Sequence, residues 1–205
     1  AYLFTGQRGV GKTSAARILA KALNCAKGPT AKPCQECPSC VAIGQGSSLD
    51  VLEIDGASNR GIDDIRALRE QVKFAPVHGQ FRVYIIDEVH QITPDAFNAL
   101  LKTLEEPPAH VKFIFATTAP QKVPKTILSR CQRFDFRRLD SHTVVSALAQ
   151  IGKRERFDVE EAALYAIARC SEGSLRDAEV ILEQLVSFCP EAIREADVSR
   201  LLGTL

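Results

Sequence analysis

The sequence predicts an α/β fold, a parallel five-stranded sheet with helices on both faces, followed by a small all-α domain. Three observations predict it. Over residues 1–139, short β-branched or aromatic runs alternate with amphipathic stretches, the rhythm of strands joined by crossover helices. After Leu139 no strand run follows, and apolar residues recur at helical spacing. Between the first two strands, a window from Cys25 to Cys40 holds four of the seven cysteines and reads as an insertion.

The strands are predicted at Tyr2–Thr5, Val51–Ile54, Arg82–Ile86, Lys112–Ala116 and Gln132–Phe136. Helices are predicted between them, at Lys12–Asn24, Ile62–Phe74 and Pro94–Leu104. The third has Thr93 as N-cap, Pro94 at its first position and Pro107-Pro108 as its stop. In the second domain, residues 140–205, Val144, Val145, Leu148 and Ile151 mark one helix, and Ala162, Leu164, Ile167 and Ala168 mark another. Ser174 with Asp177 three residues on starts a third helix, and Glu195–Leu202 reads as a fourth.

Composition bounds the function. With 205 residues, 45% hydrophobic and 25% charged, the chain can bury one sizeable core and a smaller second one. A formal net charge of +1 gives no global field for nucleic acid, so such contact needs a local patch. No charge-free apolar run approaches the roughly 18 residues that span a bilayer, and no secretory pattern opens the chain. An odd cysteine count then favours reduced thiols and a cytoplasmic setting over a disulfide framework. The chain opens at Ala1 without an initiating Met and is expected to be a piece of a longer polypeptide.

Gly6, Gln7, Arg8, Gly9, Val10, Gly11, Lys12 and Thr13, with Ser14 following, form G-x-x-x-x-G-K-T-S after an apolar strand and at the start of a helix. Such a loop turns backbone N–H groups toward phosphates, and the helix N-terminus adds partial positive charge. Lys12 is expected to reach the β- and γ-phosphates of a bound nucleotide, and Thr13 to ligate Mg²⁺. The run Val83-Tyr84-Ile85-Ile86-Asp87-Glu88 places two acids at the end of a hydrophobic strand. Asp87 is expected to hold Mg²⁺ through its water shell, and Glu88 to orient or deprotonate an attacking water.

Cys25, Cys34, Cys37 and Cys40 offer four thiolates, the soft tetrahedral set suited to a structural Zn²⁺ in a module of about residues 25–45. An iron–sulfur site is the nearest rival, but the C-x3-C-P continuation is missing. Cys131, Cys170 and Cys189 are expected as buried or half-buried thiols. Lys122, Lys125, Arg130, Arg133, Arg137 and Arg138 face Asp135 alone between Gln121 and Arg138. They read equally as a phosphate-contacting face or a solvated edge.

The phosphate loop, Asp87-Glu88-Val89-His90, the run Ala99 to Pro108 (ALLKTLEEPP), Ser129-Arg130-Cys131 and Gly173 to Ala178 (GSLRDA) together resemble AAA+ clamp-loader ATPases. With the cysteine insertion, the resemblance narrows to the gamma/tau family of the bacterial DNA polymerase III holoenzyme. It implies a circular or spiral assembly with ATP at each subunit boundary, working with delta, delta-prime and further gamma/tau copies. The assembly would load a sliding clamp onto primed DNA. It also implies that Arg130 is an arginine finger for a neighbour's nucleotide, that Arg176 is a sensor-2 arginine acting in cis, and that Thr118 takes the sensor-1 position. Arg60 and Lys102 are the implied contacts to DNA backbone. A segment before the first strand and a C-terminal collar domain, both present in relatives, lie outside this sequence. The fragment is therefore expected to bind nucleotide poorly and to be monomeric. Two other classes share parts of the pattern. A DExH helicase would share Asp87-Glu88-x-His90 but needs a second strand-rich motor domain, and a noncatalytic scaffold subunit should have lost the phosphate loop.

Overall fold

A computed structural model describes residues 1–189 and 192–203. Five parallel strands, β1 (Tyr2–Thr5), β2 (Val51–Asp55), β3 (Arg82–Asp87), β4 (Val111–Thr117) and β5 (Gln132–Asp135), form one sheet in the order β2-β3-β4-β1-β5. The helices are α1 (Lys12–Asn24), α2 (Pro38–Gln45), α3 (Ile62–Gln71), α4 (Pro94–Glu105), α5 (Lys125–Leu128), α6 (Ser141–Glu155), α7 (Glu161–Cys170), α8 (Leu175–Phe188) and α9 (Glu195–Leu202). Two compact units result: one of Ala1–Gly6 and Lys12–Asp135, the other of Gln7–Gly11 and the residues from Phe136 on.

In the first unit, alternate residues of the central strands β3 and β4 face opposite layers of helix, whereas the edge strand β5 is exposed along its length. Leu3, Tyr84, Ile86, Phe113 and Phe115 join one core with Ile65 and Leu68 of α3 and Phe97, Leu100 and Leu104 of α4. Tyr84 stacks on Phe113 at 5.4 Å between ring centroids. Val83, Ile85 and Ile114 are equally buried, and α1 packs against β3 and β4 with Ala16 and Ala20 inward. Strands covered on both sides must be apolar throughout, which is why β3 reads Val-Tyr-Ile-Ile before its first acid. Each such side chain contributes about 1.5–3 kcal/mol when fully buried. The parallel register brings the carboxyl ends of β1, β3 and β4 to one edge, with Thr5 beside Thr117 and Ile86 beside Phe115. Ligand sites of open α/β sheets form along such an edge.

Two buried polar side chains tie the long connections down. Asp50 accepts backbone N–H bonds from Val77, His78 and Gly79 at 2.6, 2.7 and 2.7 Å. Burial works against its ionisation, but the three donors outweigh it and hold the carboxyl below its ordinary range. Asn24, closing α1, donates to the Phe81 carbonyl at 2.9 Å and accepts from the Phe81 N–H at 2.8 Å.

Predicted α3 ends three residues early. The Lys73 and Phe74 N–H groups turn to the carbonyls of Glu70 and Gln71, tightening the last turn ahead of Ala75-Pro76, and Phe74 is left exposed. Helix α2 was not predicted: Cys37 caps it, Pro38 opens it, and Gly46 closes it in the left-handed region.

The second unit is an all-α domain. Val144 and Leu148 of α6, Leu164 and Ile167 of α7, Leu182 and Leu185 of α8 and Val198 of α9 share one core. Asp140 caps α6 through the Thr143 N–H, and Ser174 caps α8 through the Asp177 N–H. The expectation that Cys170 is buried or half-buried is corrected, because this residue is exposed. The inward place in that turn goes to Ser171, four residues after Ile167, whose hydroxyl bonds the Ala168 carbonyl at 3.0 Å. Cys131 and Cys189 are half-buried.

Candidate functional site

Gly6 to Gly11 connect β1 to α1, whose first turn begins with Lys12, Thr13 and Ser14, as the strand-loop-helix pattern requires. Lys12 heads α1, buried, and its ammonium donates to the Gly6 carbonyl at 2.9 Å. Burial lowers the Lys12 pKa, while the charges of Glu88 and Asp87 oppose that shift. The ammonium therefore sits within the field of the two acids that close β3. Gln7 to Gly11 belong to the second unit, where the Leu175 N–H donates to the Gly9 carbonyl at 3.0 Å. Gly9 has φ +76°, and a Cβ there would fall 2.0 Å from Ser174 Oγ, so only glycine fits.

Asp87 ends β3 and uses both carboxylate oxygens. Oδ2 accepts the Thr13 hydroxyl at 2.7 Å, and Oδ1 accepts the Glu88 N–H at 2.8 Å. Thr13 and Asp87, separated by most of the sheet's sequence, are thus one hydrogen bond apart. Glu88 sits at φ 44°, ψ 44°, a left-handed conformation that costs a non-glycine residue on the order of 1–2 kcal/mol. The turn is held from outside by Gly56, whose N–H donates to the Asp87 carbonyl at 2.8 Å. A Cβ at Gly56 would lie 2.9 Å from the carbonyl oxygens of both Asp87 and Glu88.

The strained turn aims the Glu88 carboxylate at the end of β4. Oε2 accepts the Thr118 hydroxyl at 2.9 Å and the Thr118 N–H at 3.3 Å, and His90 Nδ1 lies 3.2 Å away. The same nitrogen lies 2.9 Å from the buried Thr117 hydroxyl. Lys12, Thr13, Asp87, Glu88 and Thr118 are therefore brought together at the strand ends. Thr117 and Gly56 join them without having been singled out in the sequence. A glycine directly after a strand was the available signal for Gly56, and Thr117 offered none.

Among the other predicted residues, Arg176 lies beside the phosphate loop in the second unit, where a Cβ at Gly9 would fall 3.2 Å from the Arg176 Cβ, and the rest lie away from the loop and strand ends. Arg130 follows α5, and its guanidinium donates to Glu105 Oε1 at 2.6 Å, to the Thr126 carbonyl at 2.7 Å and to Ser129 Oγ at 3.3 Å. Arg176 is exposed in the first turn of α8. Arg60 is exposed and donates to Gln91 at 2.8 Å, and Lys102 is exposed on α4. Of the basic run, Arg130, Arg133 and Arg138 are ion-paired with Glu105, Asp135 and Glu172.

The four clustered cysteines converge, their Sγ atoms all within 4.8 Å of one another. Cys34 and Cys37 N–H groups point to the preceding thiols, at 3.5 and 3.3 Å, and the Cys40 N–H to Cys37 Sγ at 3.5 Å. Backbone N–H groups of Ala26 and Cys40 pull the Cys37 pKa down to about 6, and burial pushes Cys40 up to about 12. A tetrahedral ion with Zn–S bonds of about 2.3 Å needs sulfurs about 3.8 Å apart. With every separation at or below 4.8 Å, the four thiols are near enough to share one such ion.

The family model described as "DNA polymerase III, delta subunit" matches residues 1–140, and "DNA polymerase III clamp loader subunit, ATPase lid domain" matches residues 143–191. Over its full length the chain is 52% identical to DNA polymerase III subunit tau of Bacillus subtilis and 51% identical to that of Escherichia coli K12. The chain belongs to the gamma/tau family of bacterial DNA polymerase III clamp-loader subunits. To the gamma/tau subunit of Mycobacterium tuberculosis H37Rv it is 48% identical, again over the whole chain. It spans 36%, 32% and 36% of these three relatives, about a third of each. The Thermotoga maritima RuvB Holliday junction branch migration motor superposes on all of this gamma/tau-family chain and 61% of its own, with TM-score 0.69 and 16% identity. That likeness is one of fold. Residues 1–140 and 143–191 of the gamma/tau-family chain thus meet the delta-subunit and ATPase-lid models in succession, on a parallel sheet and a small all-α domain. Among the described residues, no helix is long and apolar enough to cross a membrane.

Proposed function

We propose that this chain binds and hydrolyses ATP as the motor part of a DNA polymerase III clamp loader that places a sliding clamp on primed DNA. The observation that carries the reading is the Thr13–Asp87 hydrogen bond, which joins the end of the phosphate loop to the end of β3 beside Lys12 and Glu88. Residues 1–139 act as the ATPase region and 140–205 as the lid. Gly6 to Ser14 cradle the phosphates, with Lys12 exchanging the Gly6 carbonyl for β- and γ-phosphate oxygens. Thr13 and Asp87 hold Mg²⁺, which when bound neutralises charge on the phosphates. Glu88 orients or deprotonates the attacking water, and Thr118, bonded to it, sets its aim. Arg176 contacts nucleotide in cis, while Arg130 serves the nucleotide of a neighbouring subunit.

The partners of this reading are delta, delta-prime and further gamma/tau copies in the cytoplasm, with the sliding clamp and primed DNA as cargo. Arg60 and Lys102 contact the DNA backbone without reading bases. The test uses full-length protein with those partners. Clamp retained on circular primed DNA only when ATP is supplied is the expected result. No ATP turnover would favour a scaffold role, and strand separation would favour a helicase.

Cys25, Cys34, Cys37 and Cys40 hold one structural Zn²⁺, since full coordination leaves no position open for substrate. Metal analysis of protein purified without chelator should find about one Zn²⁺ per chain, and Cys37→Ser should lower both metal content and melting temperature. Zinc-free protein, or iron with visible charge-transfer absorption, would refute this assignment.

A further inference from the structure

We infer that Glu105 is the positioning residue for Arg130, holding its guanidinium in the orientation from which it acts on a neighbour's nucleotide. The inference rests on the trans role of Arg130 proposed above and adds the residue that makes that role possible. Glu105 is the last residue of α4, and Arg130 lies just beyond α5, so the pair joins the ends of two helices within one unit. The Nη2–Oε1 distance of 2.6 Å is that of a short charge-assisted bond.

Two features distinguish this pair from an incidental surface bridge. First, an acid in the last turn opposes the helix dipole, and α4 ends on Glu105 followed by Glu106. Helix stability alone favours a cation there, so the carboxylate is placed against local electrostatics and compensated by Arg130. Second, the contact is one of three. Nη1 is tied to the Thr126 carbonyl and to Ser129 Oγ while Nη2 is tied to Glu105, which fixes the plane of the guanidinium as well as its position. Arg130 and Glu105 side chains remain 34% and 47% exposed. At that exposure the pair adds little to folding stability. Its consequence is geometric: an otherwise many-rotamer side chain is presented in one orientation, and misplacement of a catalytic group by about 1 Å can cost about 10²-fold.

The test measures ATP turnover of the full-length subunit assembled with its partners. Glu105→Ala should lower kcat on the order of tenfold with KM for ATP unchanged. Glu105→Gln, which keeps the acceptor oxygen, should recover most of it, and Glu106→Ala should behave as wild type. In an Arg130→Ala background Glu105→Ala should add nothing, because it acts only through Arg130. Equal loss in both backgrounds, or Glu105→Ala at wild-type rate beside a slowed Arg130→Ala, would overturn the positioning role and leave the finger standing. Arg130→Ala turning over normally in the assembly would instead remove the trans role, and this inference with it.

Discussion

Glu88→Gln in the full-length subunit should bind ATP as tightly as wild type and hydrolyse it about 10²–10⁴-fold more slowly, the range of a lost general base. Lys12→Ala should lose nucleotide binding altogether. The two outcomes differ because the side chains meet the nucleotide at different stages. Lys12 heads α1 inside the phosphate loop, and its ammonium already has a carbonyl partner at 2.9 Å that phosphate oxygens would replace. Without it, ground-state charge is uncompensated. Glu88 lies one residue past Asp87, held by Thr118 and beside His90, so removing its charge leaves the Thr13–Asp87 bond in place. Equilibrium binding and single-turnover hydrolysis, measured on the same preparations, separate the two. Normal turnover by Glu88→Gln would show that another group activates the water.

The parts legible in the sequence were those set by short-range rules. Strand β3 had to be apolar because helices cover both its faces, and its first acids had to fall where the sheet ends. Thr93 and Ser174 were readable as caps because a hydroxyl ahead of a helix satisfies an orphan N–H, and both do so. The cysteine spacing predicted convergence of four sulfurs, and they converge. Helix α2 was not legible because its Pro-Ser-Cys-Val-Ala-Ile-Gly-Gln run shows no apolar stripe, and Cys37 rather than a hydroxyl residue caps it. Contacts made across the fold were also invisible. Nothing near Glu88 in the chain announces Thr117 or Gly56, and nothing near Arg130 announces Glu105. Cys170 illustrates the same limit in reverse, since position along a helix does not say which neighbour takes the inward place.

Arg130→Ala should leave the mutant subunit's own ATP affinity nearly unchanged and slow turnover of the assembled complex by about 10³-fold or more, the scale of arginine fingers in GTPases. The contacts of Arg130 within its own unit are to Glu105, Thr126 and Ser129, on the α4 and α5 side, while Lys12, Thr13, Asp87 and Glu88 gather at the strand ends. A charge delivered only by a neighbour makes hydrolysis depend on assembly, and mixing reveals the dependence. Subunits with Arg130→Ala but an intact phosphate loop, combined with Lys12→Ala subunits that keep Arg130, should regain partial activity wherever a good site meets a good finger. Each mutant alone supplies only half of every boundary, so neither alone should turn over at more than the residual rate of an unassisted site. Loss of ATP binding by the isolated Arg130→Ala subunit would place the arginine in its own site. Co-assembled mixtures that stay inactive would show that Arg130 does not reach across the boundary, because in such mixtures some boundaries must pair the intact halves.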